Sequence, residues 1–269
     1  MILAAAVQLQ STSDEAASLE AAEQGIRRAA AHGATLVVTP ENTNFLGPHA
    51  RKVELATGLD GPVVGRFAGL AAELGITLVL GSFNERSDDP RRCHNTSVTF
   101  GPDGAILGVY RKIHLFDVDV SAEVRFRESD TVVPGSELVV ASTPAGEVGL
   151  TICYDLRFPE IYRLLVERGA RILTVPAAFT AHTGKDHWEP LLRARAIECQ
   201  AYVIAAGQHG EHDDKGLRRS WGHSMIVDPW GHVVGMASDG PGLALATLDL
   251  DRVTEVRRAI PLAQHRTLC

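Results

Sequence analysis

The chain lacks an excess of positive charge, an apolar run of membrane length and any close cysteine pair. Its 26 Lys and Arg against 33 Asp and Glu leave a net charge of −7. That argues against a general nucleic-acid binder, which would present a basic face, so an anionic ligand must be held by individually placed Arg or Lys. No apolar stretch approaches the ~20 residues that span a bilayer, and no membrane association is expected. The start, Met1-Ile2-Leu3-Ala4-Ala5-Ala6-Val7-Gln8, has no basic residue and turns polar too early for a signal peptide. The four cysteines, Cys93, Cys153, Cys199 and Cys269, are scattered without C-x-x-C spacing. A structural zinc site or a secreted disulfide framework does not fit, and a reducing cytosol does. Eleven histidines include no H-E-x-x-H set. His209, His212 and His223 flank a polar stretch, Glu211-Asp213-Asp214-Lys215-Gly216, that reads as exposed loop, so no metal is expected. Neither G-x-G-x-x-G nor G-x-x-x-x-G-K-[ST] occurs, and no cofactor is called for.

What is present is an ordinary soluble composition, 45% hydrophobic and 22% charged over 269 residues, enough for a core that needs no staple. Residues 2–8 read as a strand. Ser13 is a candidate cap for a helix reaching about His32, whose Ala16, Leu19, Ala22, Ile26 and Ala29 recur at helical spacing. Thr35–Thr39 is a short strand, Pro62 opens a helix ending near Gly75, and Ile76–Leu80 is the next strand. Gly101-Pro102-Asp103-Gly104 joins His94–Phe100 to Ala105–Tyr110 as a hairpin. A strand then runs to Cys153. Helices over about 159–168 and 186–199 alternate with strands at 171–175, 201–206, 223–228, 232–236 and 243–249, and a helix starts at Asp251. This alternation indicates α/β layering with mixed sheets. Gly33-Ala34-Thr35-Leu36-Val37-Val38-Thr39-Pro40 echoes Gly169-Ala170-Arg171-Ile172-Leu173-Thr174-Val175-Pro176. Two similar halves about a pseudo-twofold would account for the echo, as would two unrelated helix–Gly–strand units. With no linker or low-complexity tract, residues 1–269 read as one domain.

Three strand exits carry chemistry. Thr39-Pro40-Glu41-Asn42 ends a strand in a carboxylate, Tyr110-Arg111-Lys112 ends one in a lysine, and Val148-Gly149-Leu150-Thr151-Ile152-Cys153 ends one in a thiol. Amide hydrolysis needs a nucleophile, a proton shuttle and a donor for the oxyanion. A thiol with a pKa of about 8.5 is mostly protonated at neutral pH and needs a base. Glu41 is the candidate base, and Lys112 the candidate oxyanion donor beside the N–H of Tyr154. Each residue alone has a plainer reading: a packed cysteine, a solvated lysine, a glutamate in a turn. Their combination favours the chemistry.

The segments Pro40-Glu41-Asn42, Tyr110-Arg111-Lys112-Ile113-His114-Leu115-Phe116 and Gly149-Leu150-Thr151-Ile152-Cys153-Tyr154-Asp155-Leu156-Arg157-Phe158-Pro159-Glu160 resemble the three catalytic motifs of the nitrilase superfamily of carbon–nitrogen hydrolases. The resemblance runs over nearly the whole chain. It implies an αββα sandwich, a homodimer or higher homo-oligomer extending it to αββααββα, Glu41 as general base, Lys112 as oxyanion stabiliser and Cys153 as nucleophile. It adds Glu128, in Phe126-Arg127-Glu128-Ser129, as a second carboxylate positioning substrate and Lys112. Thr183-Gly184-Lys185-Asp186-His187-Trp188-Glu189 and Gly222-His223-Ser224-Met225-Ile226-Val227-Asp228-Pro229-Trp230-Gly231 resemble the Nit-type amidases, a group that includes ω-amidases and deaminated glutathione amidases. The implied partner is a small linear amide bearing a carboxylate, such as deaminated glutathione or a related α-keto ω-amide, cleaved to a carboxylate and ammonia. An ω-amidase on short dicarboxylate monoamides, an N-carbamoyl amide hydrolase of the same superfamily and a non-catalytic interaction module on the same fold are the alternatives.

A carboxylate-bearing substrate calls for an arginine, and Arg157 is the first candidate because guanidinium binds carboxylate bidentately. An ion pair with Asp155 or Glu160 is the competing reading. Phe179 and Thr180 are expected to line the same pocket. His187 is read as capping or packing a helix start, Cys199 as core, and Arg193 and Arg195 as ion-pair or subunit-contact residues.

Overall fold

The computed structural model of the chain describes residues 1–119, 125–212 and 219–267. Cys269 and residues 213–216 of the polar stretch lie outside the described residues. The first half contains β1 (Ile2–Gln8), α1 (Glu15–Ala31), β2 (Leu36–Val38), α2 (His49–Glu54), α3 (Pro62–Leu74), β3 (Thr77–Arg86), β4 (Cys93–Phe100) and β5 (Ile106–Arg111). The short pair β6 (Asp117–Asp119) and β7 (Arg125–Arg127) follows. The second half holds β8 (Val140–Thr143), β9 (Gly146–Leu150), α4 (Pro159–Glu167), β10 (Ile172–Thr174), α5 (Ala181–Cys199) and β11 (Tyr202–Ala205). A second short pair, β12 (His209–Glu211) with β13 (Arg219–Trp221), leads to β14 (Met225–Val227), β15 (Val233–Met236), β16 (Gly242–Leu248), α6 (Leu250–Ala259) and α7 (Leu262–His265).

One six-stranded sheet has the order β16-β1-β2-β3-β4-β5 and the other β15-β14-β11-β10-β9-β8. In the first, β2 is parallel to both neighbours; in the second, β10 is. The two echoing Gly-to-Pro segments thus supply the strand with parallel partners on both sides in each sheet.

Strand alternation sorts the layers. Ala4 and Ala6 of β1 join a core with Leu150, Ile172, Ile204 and Ile226 of the opposite sheet. Ala5 and Val7 turn the other way, onto Ala22, Ile26 and Ala29 of α1 and Phe67 and Leu70 of α3. On the far face of the second sheet, Ile161, Tyr162 and Leu165 of α4 and Trp188, Leu192 and Ala196 of α5 are buried. The result is an αββα sandwich.

Local chemistry explains the element ends. Asp14, not Ser13, caps α1: its carboxylate accepts from the Ala17 N–H at 3.0 Å, one residue later than expected. Pro62 starts α3 with its φ already set, and Gly75 ends it at φ +63°. Helix α5 begins at Ala181, five residues before the expected 186. His187 is therefore an exposed residue within the helix, not at its start. The strand expected from His223 begins at Met225, because His223 adopts φ +56°. Among the described residues no helix is long and apolar enough to cross a membrane.

Candidate active site

Glu41 leaves β2 through a turn held against β3. Gly81 makes that approach feasible, since a Cβ there would sit 1.9 Å from the Thr39 carbonyl oxygen. The Asn42 N–H donates to Ser82 Oγ at 2.8 Å and the Ser82 N–H to the Pro40 carbonyl at 3.2 Å, fixing the turn. Lys112 follows β5, and its N–H donates to the Asn95 carbonyl of β4 at 2.9 Å. Cys153 follows β9 as the first residue of a 3-10 turn, Cys153–Arg157. Its N–H donates to the Pro176 carbonyl beyond β10 at 2.8 Å. Cys153 has φ +47°, a left-handed conformation that costs a non-glycine residue about 1–3 kcal/mol and concentrates at functional sites.

These exits converge. Lys112 Nζ donates to Glu41 Oε1 at 2.8 Å and to both oxygens of Glu128 at 3.1 and 2.9 Å. Asn95 Nδ2 donates to Glu41 Oε1 at 2.9 Å and Glu128 Oε1 at 3.1 Å. The Phe116 N–H donates to Glu128 Oε2 at 2.7 Å, and the Ala178 N–H to Glu41 Oε2 at 2.8 Å. The Cys153 thiol is hydrogen-bonded to Glu41. Glu41, Lys112, Cys153 and Glu128 are all at most 8% exposed, and all four line one cavity of about 720 Å³ counted out to its open mouth.

The electrostatics follow from this packing. Burial and the adjacent Glu41 carboxylate push the Cys153 thiol well above its ordinary pKa, against the opposing pull of Lys112. Burial disfavours the Lys112 ammonium, yet Glu128 and Glu41 outweigh it and hold the pKa well above normal. Burial likewise works against an ionised Glu128, but Lys112, Lys52 and the Phe116 N–H bring its pKa down to about 2. The cluster is therefore a neutral thiol beside an ammonium clasped by carboxylates.

The remaining candidates surround this cluster. Tyr154 lines the cavity and packs edge-on against Phe116, centroids 5.1 Å apart. Phe179 is buried in the wall, and Thr180 lines it at the start of α5 with its hydroxyl 2.9 Å from that of Thr183. Arg157 lies over the Phe179 ring at 4.9 Å and reaches His187 Nδ1 at 3.2 Å. It makes neither competing ion pair: Asp155 is bound by Tyr110, His114 and Ile152, and Arg157 meets no carboxylate among the described residues. Arg195 is buried, with its guanidinium on the Leu156 carbonyl at 2.8 and 3.1 Å and on Glu198. Cys199 is core, its thiol pushed up to about 12 by burial. His212 binds the Ser11 carbonyl and Ser220 Oγ, and no metal-ligating cluster occurs among the described residues.

Sequence reasoning missed Asn95, Lys52 and His49. Asn95 sits at an inward position of a strand, where a polar side chain was the available signal. Lys52 and His49 belong to α2, whose six residues are too few to show periodicity.

Residues 3–258 match the carbon–nitrogen hydrolase family model, and the chain belongs to that family. Over 269 residues it is 45% identical to the deaminated glutathione amidase of Bos taurus, covering 98% of this chain and 81% of that protein. The structure of Saccharomyces cerevisiae Nit3, a member of branch 10 of the nitrilase superfamily, aligns with a TM-score of 0.88 at 33% identity, covering 99% of this chain and 97% of that one. An amidase from Nesterenkonia sp. AN1, solved with acrylamide added at its active-site cysteine, aligns with a TM-score of 0.80 at 27% identity, covering 98% and 99%. The chain is accordingly a hydrolase of carbon–nitrogen bonds other than peptide bonds.

Proposed function

We propose that the protein is an amidase that cleaves deaminated glutathione or a similar α-keto ω-amide through a thioester on Cys153. The observation that carries this reading is the shared cavity in which Glu41 contacts both the Cys153 thiol and Lys112 Nζ. A thiol held neutral by burial does not attack as a resting thiolate; Glu41 takes its proton as sulfur bonds to the amide carbon. The oxyanion is met by Lys112 and the Tyr154 N–H. Collapse breaks the C–N bond as Glu41 returns the proton to the leaving nitrogen. Glu41 then deprotonates water, which attacks the thioester, and the thiol regains its proton as the C–S bond breaks. With deaminated glutathione the leaving nitrogen belongs to a cysteinyl peptide, so ammonia is the product only for primary ω-amides.

Glu128 holds Lys112 toward the carbonyl, and Arg157, with no carboxylate partner among the described residues, receives a substrate carboxylate above Phe179. Tyr154, Phe179 and Thr180 shape the acyl pocket. The similarity to the bovine enzyme and the cysteine adduct of the Nesterenkonia amidase support the substrate class and the nucleophile. Leu164 on α4 and Ile197 on α5 are exposed apolar residues that support a homodimer, testable by sedimentation at two concentrations.

The test is a panel of deaminated glutathione, α-ketoglutaramate and an N-carbamoyl amino acid ranked by kcat/KM, run beside Cys153→Ala. The reading expects the α-keto amides to lead and the variant to keep under about a hundredth of the activity. A carbamoyl preference, with carbon dioxide released, would replace the substrate assignment.

A further inference from the structure

Four atoms at the base of the cavity form a closed diamond. Lys112 Nζ and Asn95 Nδ2 each donate to the same two oxygens, Glu41 Oε1 and Glu128 Oε1, at 2.8 and 3.1 Å from the ammonium and 2.9 and 3.1 Å from the amide. The orientation of the Asn95 amide follows from its neighbours: two carboxylate oxygens accept, so the NH₂ must face them. Its Oδ1 is then buried without a donor among the described residues, although such a group normally finds one. Asn95 is only 3% exposed and sits on β4, between β3 and β5, where it cannot swing away.

We propose that Asn95 is a positioning residue that holds the Glu41 and Glu128 carboxylates side by side while Lys112 turns toward the reacting carbonyl. The proposal rests on the thioester reading above. Two carboxylates sharing donors repel each other, and an ammonium drawn to an oxyanion shields them less. A neutral amide cannot be titrated away and does not move with the substrate, so it supplies the part of the binding that stays constant through the cycle. Among the described residues, the charged and titratable groups that act on the carboxylate pair are Lys112 just after β5, Lys52 from α2 and Cys153 from the turn after β9. Of the donors that bridge both carboxylates among the described residues, Asn95 is the uncharged one.

Two substitutions test it: Asn95→Leu, which keeps the branching and heavy-atom count without the orphan oxygen, and Asn95→Ala. The readouts are turnover of α-ketoglutaramate against pH and the rate of iodoacetamide alkylation mapped to the Cys153 peptide, which needs no turnover. In both variants the acid limb of alkylation and of kcat/KM should move up by about one pH unit, with KM changed less than about threefold. Below the limb the rate should fall on the order of tenfold, the scale of one charge-assisted hydrogen bond. A limb that stays within about 0.2 unit, with turnover still dependent on Cys153, overturns the role of Asn95 alone. Failure of the Leu variant to fold also overturns it, because the amide would then serve the fold. Full activity of Cys153→Ala in the otherwise unaltered chain overturns the underlying thioester reading instead.

Discussion

Asp155 Oδ1 accepts both the backbone N–H of His114, at 3.1 Å, and its ring Nδ1, at 2.7 Å. Asp155 lies two residues beyond Cys153, and His114 two beyond Lys112, so one buried carboxylate ties the two strand exits together. Its other oxygen takes the Tyr110 hydroxyl at 2.6 Å and the Ile152 N–H at 2.8 Å. Asp155→Asn turns an NH₂ toward these donors and should cost about 2–3 kcal/mol, a several-degree fall in Tm. It should also lower kcat/KM more than KM rises. Thermal unfolding alongside steady-state kinetics checks both.

Glu128→Gln should slow turnover on the order of 10²-fold, because Lys112 loses the carboxylate that aims it. The stability effect depends on pH. Glu128 is depressed from 4.5 to about 2 in the fold, so the stability it lends is complete above its unfolded value and drains as pH falls through the folded one. The gap in urea midpoint between the native chain and Glu128→Gln should therefore be widest above pH 5 and narrow toward pH 2. A gap independent of pH would show that the ionised carboxyl contributes nothing.

The left-handed backbone of Cys153 predicts an unusual ranking of two inactive variants. Cys153→Gly should be about 1 kcal/mol more stable than Cys153→Ala, since glycine adopts φ +47° without the Cβ penalty. Chemical denaturation of the pair measures this directly. Equal stabilities would mean that the turn is not strained.

Arg157→Gln should raise KM for a carboxylate-bearing amide on the order of tenfold and leave a neutral amide within about twofold, because only the charged substrate loses a guanidinium partner. Parallel losses on both substrates would assign Arg157 to the pocket wall above Phe179.

The strand exits were legible because buried strands announce themselves as short β-branched runs, and a charged or thiol residue closing such a run stands out. Val148–Ile152 before Cys153 and Thr35–Thr39 before Glu41 are of this kind. Helices with a long apolar stripe, such as α1, were read to within a residue or two, and the cap slipped by one because Ser13 and Asp14 are both competent. Helix α2 was invisible: six residues make under two turns, so no period can develop. The early start of α5 was also hidden, because Ala181–Lys185 carries no capping signal; Thr180 makes no side-chain cap bond. Asn95 and the Asp155 clamp depend on contacts across 54 and 41 positions of chain, which no local spacing records.

The most direct measurement is intact and peptide mass analysis of enzyme mixed with α-ketoglutaramate and acid-quenched within milliseconds to seconds. An acyl adduct should be confined to the Cys153 peptide, absent from Cys153→Ala and much slower to form in Glu41→Gln, where the neutral thiol loses its base. Turnover without any adduct, or an adduct on Cys93, Cys199 or Cys269 in place of Cys153, would contradict it.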